Sequence, residues 1–242
     1  MNAIEIINLT KRYKDLTAVN SLTLKIEEGE MFSLLGVNGA GKTTTVKMLS
    51  CLTEPTEGDA YLFGKSIVNN RQEVKSFIAV SPQETAVAPG LSVRENLELI
   101  CGVNGLKKEK RDAKIEEITA LLGLDSVIGR RAGKLSGGWQ RRLSIAMALI
   151  SEPKILFLDE PTLGLDVIAR SELWDLMRGL KGKVTVILTT HYMEEAEALS
   201  DRIAIMKDGR LLICDTPDAI KSKAGTDNFE KAFIAVVKGE IQ

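Results

Sequence analysis

This sequence predicts an α/β fold: a mostly parallel sheet flanked by helices, preceded by an antiparallel β subdomain and interrupted by an inserted α-helical subdomain. Three observations carry that expectation. Segments 155–158 and 184–188 are wholly apolar, as strands covered on both faces must be. A short apolar run at 31–35 ends in a glycine-rich loop and is followed by helix-compatible spacing. From about 88 to 150 the apolar pattern turns helical throughout.

Taken in order, Ile4 and Ile6, then Leu22, Leu24 and Ile26 alternating with Thr and Lys, read as half-buried, antiparallel strands. Glu28-Gly29-Glu30 breaks the pattern before the strand at 31–35. Val46, Met48 and Leu49 mark the helix beyond the loop. In the insertion, Val93, Leu97 and Ile100 form one stripe and Ile115, Ile118, Leu121 and Leu122 another, with 107–111 as a solvated helix start. A further helix buries Leu143, Met147 and Ile150, and 167–180 is helical between the two apolar strands. Segments 202–206 and 210–214 flank Lys207-Asp208-Gly209 as a hairpin. Thr216 caps a short helix with Pro217 in its first turn.

The length of 242 residues suits one domain with a sizeable inserted subdomain. Hydrophobic residues make up 44%, yet only 2 Trp, 3 Tyr and 6 Phe are aromatic, so Val, Ile, Leu and Ala must supply the core. Lys plus Arg number 32 against 33 Asp plus Glu, a balance that argues against nucleic acid as the load. Cys51, Cys101 and Cys214 are odd in number and far apart, which suits reduced, buried thiols in a cytosolic chain. The longest apolar run, 145–150, is six residues, whereas crossing a bilayer takes about 20. The first residues lack the basic and apolar regions of a secretory signal. A soluble cytosolic protein is the expectation.

Residues 36–43, Gly-Val-Asn-Gly-Ala-Gly-Lys-Thr, satisfy G-x-x-x-x-G-K-[ST]. Glycines let the backbone N–H groups converge on a triphosphate, and the helix that follows points its positive end at the same charge. A glycine-rich turn with a surface lysine is the plain alternative; the strand before the motif and the helix after it favour nucleotide binding and a P-loop NTPase core. Lys42 would reach the β and γ phosphates and Thr43 would hold Mg²⁺. The expected contacts are Gly36, Asn38, Gly39, Ala40, Gly41, Lys42, Thr43 and Thr44. Such a site also needs an acid at a neighbouring strand end, and Asp159 closes the strand at 155–158 with Glu160 directly after it. Asp159 would serve the metal and Glu160 would polarise a water.

Leu135-Ser136-Gly137-Gly138 precedes Asp159 at the start of a helix, where two glycines cost stability. Alone it reads as a Ser N-cap with a flexible first turn. Together with the phosphate loop, the sequence resembles the ATP-binding cassette (ABC) ATPases, whose signature is LSGGQ. The order of the motifs is the specific part: the loop at 36–43, Gln83 in Ser81-Pro82-Gln83-Glu84, the signature at 135–138, the acid strand at 155–161, Leu163-Gly164-Leu165-Asp166 and His191. The resemblance implies that Gln83 coordinates Mg²⁺ and the attacking water at the join with the helical subdomain. It implies that Tyr13 stacks on adenine with Val19 beside it, that His191 senses the γ phosphate, and that Ser136, Gly137 and Gly138 contact phosphate. Two departures stand out: Trp139 holds the fifth signature position with glutamine displaced to Gln140, and the loop at 162–166 reads Thr-Leu-Gly-Leu-Asp where S-A-L-D is more common.

The resemblance further implies a dimer sandwiching two ATP, each site taking Lys42, Glu160 and His191 from one subunit and Ser136 to Gly138 from the other. The dimer would be a homodimer or a pair with a second ABC ATPase. Polytopic membrane permease subunits would be the partners, with the chain peripheral on the cytoplasmic face of the membrane. Residues 81–97, 162–166 and 229–233 look like ABC-2-type exporters of drugs, sodium or polysaccharide. The competing reading is a soluble ABC mechanoenzyme of DNA repair or translation, which predicts a long coiled coil, zinc cysteines, a basic surface or a second cassette. A P-loop kinase or GTPase is disfavoured by the signature and by the long separation of Lys42 from Asp159.

Overall fold

The computed structural model describes residues 1–240. The chain begins with a long antiparallel pair, β1 (Asn2–Tyr13) and β2 (Leu16–Glu27), whose inward residues Ile4, Ile6, Leu22, Leu24 and Ile26 are buried as their alternation predicts. After β3 (Met31–Leu35) and α1 (Lys42–Leu49), the chain returns to this sheet as β4 (Glu57–Leu62) and β5 (Lys65–Ser66), giving the order β2-β1-β4-β5. The short α2 (Arg71–Lys75) leads to β6 (Ile78–Ser81).

The insertion follows: α3 (Val93–Val103), α4 (Lys108–Leu121) and α5 (Gly137–Leu149). A reciprocal capping box of Ser92 and Glu95 starts α3. Helix α5 does double duty, because Leu143, Ile145 and Leu149 join the helical cluster while the Ser144 hydroxyl meets that of Ser81 on β6 at 3.0 Å. The chain then runs through β7 (Ile155–Asp159), α6 (Val167–Arg178), β8 (Thr185–Thr190), α7 (Met193–Leu199), β9 (Arg202–Lys207) and β10 (Arg210–Asp215). It closes with α8 (Pro217–Lys223), capped by Thr216, and α9 (Phe229–Lys238).

The large sheet has the order β10-β9-β3-β8-β7-β6, parallel except for the β9–β10 hairpin. Every residue of β3, β7 and β8 is buried, the physical cause of their mostly apolar character, interrupted only by Ser33, Asp159 and the threonines of β8. Their side chains alternate between two cores. Leu156 and Leu158 face the helical insertion, while Ile155 and Phe157 face α1 and the antiparallel sheet. Helices α7, α8 and α9 close a third cluster over Leu35, Ile203 and Ile205. Cys51 and Cys101 are buried as expected, but Cys214 is only half-buried, on the edge strand β10, where Arg202 donates to its Sγ at 3.1 Å. No helix among the described residues is long and apolar enough to cross a membrane.

Candidate active site

The site lies where the parallel strands end. Pairing sets Leu35 of β3 level with Thr190 of β8, Asp159 of β7 with Thr189, and Ser81 of β6 with Leu158. The residues just past these ends are Gly36, His191, Glu160 and Pro82-Gln83, so four loops open on one edge, the place where open α/β sheets bind ligands.

The loop between β3 and α1 owes its path to two glycines. A Cβ at Gly36 would lie 2.4 Å from the Met206 carbonyl oxygen, and one at Gly41 would lie 2.5 Å from that of Ala18. Gly41 also caps α1 with a φ of 101°, a left-handed conformation that glycine adopts without a Cβ penalty. The cavity over this loop, of about 530 Å³, is lined by residues 38–44, Gln83, Glu160 and His191. Leu16, Thr17, Ala18, Leu163 and Asp208 complete its wall.

Lys42 is buried, and its Nζ donates to the carbonyls of Gly36 at 2.7 Å and Val37 at 3.5 Å. Its third neighbour is Glu160, 3.5 Å away, in an ion pair with both side chains under 10% exposed. Thr43 Oγ1 donates to Asp159 Oδ1 at 3.3 Å, and Thr189 donates to the same oxygen. Glu160 Oε2 meets His191 Nδ1 at 2.8 Å. The backbone of Glu160 is left-handed, with φ of 48°, and its N–H donates to Thr189. A branched-backbone strain of this kind in a non-glycine residue costs of the order of 1–3 kcal/mol and clusters at functional sites. It aims the carboxylate at Lys42 and His191 while Asp159 faces Thr43.

This arrangement combines an anion cradle, a hard oxygen pair and a carboxylate beside an imidazole. Thr43 and Asp159 offer the oxygen donors that suit Mg²⁺, and Gln83 shares the cavity as a third oxygen source. Among the described residues no cluster of three His, Cys, Asp or Glu stands ready to hold a metal. A single carboxylate, Asp159, beside neutral oxygen donors suits an ion held through one or two carboxylates and shared with a substrate's phosphates.

Other expected residues lie elsewhere. Val19 is fully buried beneath Gly41, and Tyr13, at 44% exposure with the Lys11 ammonium over its ring, is outside the cavity lining. Leu16, Thr17 and Ala18 form that wall instead, because β2 passes closer to the loop than the hairpin tip does. Ser136 and Gly137 are exposed at the start of α5 and, with Gly138, do not line the cavity. The Ser136 hydroxyl makes no cap bond to its own helix. Gly138 also has a packing reason, since a Cβ there would come within 3.1 Å of Ala169 on α6. Trp139 is half-buried against the helical core with the Arg142 guanidinium 4.7 Å over its ring, and Gln140 donates to the carbonyls of Ala132 and Leu135.

Two residues escaped the sequence reading. Asp208, in the β9–β10 turn, reaches the cavity because Gly209 donates to the Ala40 carbonyl. Arg141 of α5 is buried and donates to the carbonyls of Pro82, at 2.6 Å, and Gln83. Burial pushes its pKa down, opposed by the nearby acidic groups, Asp159 first. Its signal was a cation on the buried stripe of α5, one turn before Ile145.

Three comparisons bear on these features. The family profile described as "ABC transporter" matches residues 19–163. Human "Phospholipid-transporting ATPase ABCA3" is 41% identical over 92% of this chain, which spans only 13% of that protein's length. "Nod factor export ATP-binding protein I" of Burkholderia lata is 40% identical over 94% of this chain and 75% of its own. Among solved structures, the dimeric post-hydrolysis state of the ATP-binding cassette MJ0796, bound to ADP and Pi, superposes with a TM-score of 0.79 at 29% identity. That match covers 88% of this chain and 98% of the other.

Proposed function

Because the chain belongs to the ABC transporter family, as an ATP-binding protein with ATPase activity, we propose that the cavity over residues 36–43 binds and hydrolyses ATP to power export through separate membrane subunits. The observation that carries this reading is the convergence of Lys42, Asp159, Glu160 and His191 on one sheet edge. Loop N–H groups and the positive end of α1 receive the phosphates. Lys42 exchanges the carbonyls of Gly36 and Val37 for phosphate oxygens, trading neutral acceptors for charged ones worth about 1.5–3 kcal/mol per bond. Leu16, Thr17 and Ala18 take the nucleoside end of the cavity.

Thr43, Asp159 and Gln83 would hold Mg²⁺, which neutralises phosphate charge when bound. Glu160 accepts a hydrogen bond from the attacking water and takes its proton as the water oxygen bonds to the γ phosphorus. The bond from that phosphorus to the ADP oxygen breaks, leaving ADP and phosphate. His191, bonded through Nδ1 to Glu160, fixes the carboxylate and presents its other nitrogen towards the γ phosphate.

Ser136 and Gly137 face solvent in their own chain, and a second copy places them over the phosphates, so that ATP joins two cassettes. Because Arg141 of the same helix grips the Pro82 and Gln83 carbonyls, movement at the signature reaches the Gln83 loop directly. The dimeric cassette MJ0796 supports this assembly by likeness. Export rests on relatives such as the Nod factor export protein, and with it a peripheral place on the cytoplasmic face of the membrane. Purification of the tagged chain from solubilised membranes tests the partner: a polytopic subunit recovered in stoichiometric amount supports the reading, and recovery of a soluble DNA-repair or translation complex overturns it.

A further inference from the structure

Behind the Glu160–His191 pair lies a carboxyl that the catalytic reading does not use. Glu195 of α7 has 0% exposure. Its Oε1 accepts from Trp174 Nε1 of α6 at 3.2 Å, while its Oε2 has no partner in hydrogen-bonding geometry. The Thr162 hydroxyl, two residues after Glu160, is buried and equally unpartnered. Thr190, just before His191, is the third polar group against this carboxyl, and its Oγ1 accepts from the Tyr192 N–H at 2.9 Å. The proton of Thr190 is therefore free to point at Glu195. The charged groups that face the carboxyl are Arg141 on α5 and Glu160 at the end of β7.

A bare carboxylate here would be a fully buried anion, whereas a neutral acid avoids that cost and carries a donor that the Thr162 oxygen can accept. We propose that Glu195 is a positioning residue: as a neutral acid it accepts from Trp174 and donates to Thr162, and so ties the turn that carries Glu160 to α6 and to α7, the helix that directly follows His191. Burial, the largest influence, raises its pKa above the ordinary carboxylate range, and Glu160 adds to it; Thr190, Thr162 and Trp174 pull the other way without prevailing. The role rests on the hydrolytic reading above. It extends that reading to a residue that touches neither ATP nor water.

The test compares wild type, Glu195→Gln and Glu195→Leu in steady-state ATP hydrolysis. Glutamine keeps one acceptor for Trp174 and one donor for Thr162, so it retains kcat within about twofold; leucine loses both and lowers kcat about tenfold or more while KM for ATP stays within about twofold. A wild type that does not hydrolyse ATP would sink the hydrolytic reading itself. Hydrolysis by wild type combined with equal loss in both variants would overturn the neutral-acid role, as would no loss in either. Infrared difference spectra of wild type against Glu195→Gln give a readout free of activity and of the leucine variant's folding. A protonated-carboxyl carbonyl band present only in wild type is expected near neutral pH, and a carboxylate band in its place refutes the proposal.

Discussion

The two regions proposed to meet phosphate, the loop at 36–43 and the start of α5, differ in completeness. At the C-terminal edge of the large sheet, Lys42, Thr43, Asp159, Glu160 and His191 already bond to one another, brought there by the ends of three strands, β3, β7 and β8. At the start of α5, Ser136 and Gly137 face solvent, and the serine hydroxyl does not engage its own helix. The first region is satisfied within one chain, whereas the second leaves Ser136 and Gly137 open to solvent with no side-chain cap bond. On the proposed reading, binding and turnover are separable: one chain is enough for the first, and the second asks for a second copy.

The separation can be broken by substitution. The largest expected effect is that of Glu160→Gln, which removes the base yet leaves Lys42 and the loop in place: turnover falls about 10²- to 10⁴-fold in a phosphate-release assay with ATP still bound. Full hydrolysis by this variant would remove Glu160 from its role. Gly137→Asp probes the other region. The nearest atom to a Cβ there is Leu165 Cδ2 at 3.7 Å, so the side chain fits, and its charge repels the partner's nucleotide. Turnover should drop by about 100-fold while ATP affinity of the isolated chain stays within about twofold. A matching loss of affinity would mean that the signature serves its own site. Lys42→Ala should weaken ATP binding by about 10- to 100-fold in calorimetry, the worth of one or two charge-assisted bonds. Unchanged affinity would contradict the cradle.

How legible each region was follows the same divide. The phosphate loop and the acid pair announce themselves because their chemistry is local: the glycines, the lysine and the following helix are contiguous, and the acids sit at a strand end. Parallel strands were legible for a similar reason, since burial on both faces leaves β3, β7 and β8 mostly apolar. What escaped depends on partners far along the chain. Arg141 matters through carbonyls at Pro82 and Gln83, Glu195 through Trp174 and Thr162, and Asp208 through a turn docked on Ala40. The nucleoside wall fell to Leu16, Thr17 and Ala18 for the same reason, because the pass of β2 under Gly41 is a tertiary fact. The helix-face expectations for Ile100, Leu121 and Met147 were close, yet all three are only half-buried at the margin of the helical core.

ATP is expected to join two chains because each lacks what the other exposes. Size-exclusion chromatography with light scattering on Glu160→Gln, run with and without ATP, measures it directly. The expected result is one chain without nucleotide and twice that mass with ATP, lost again when Lys42→Ala is added. A species that holds ATP tightly and stays at the mass of one chain would contradict it.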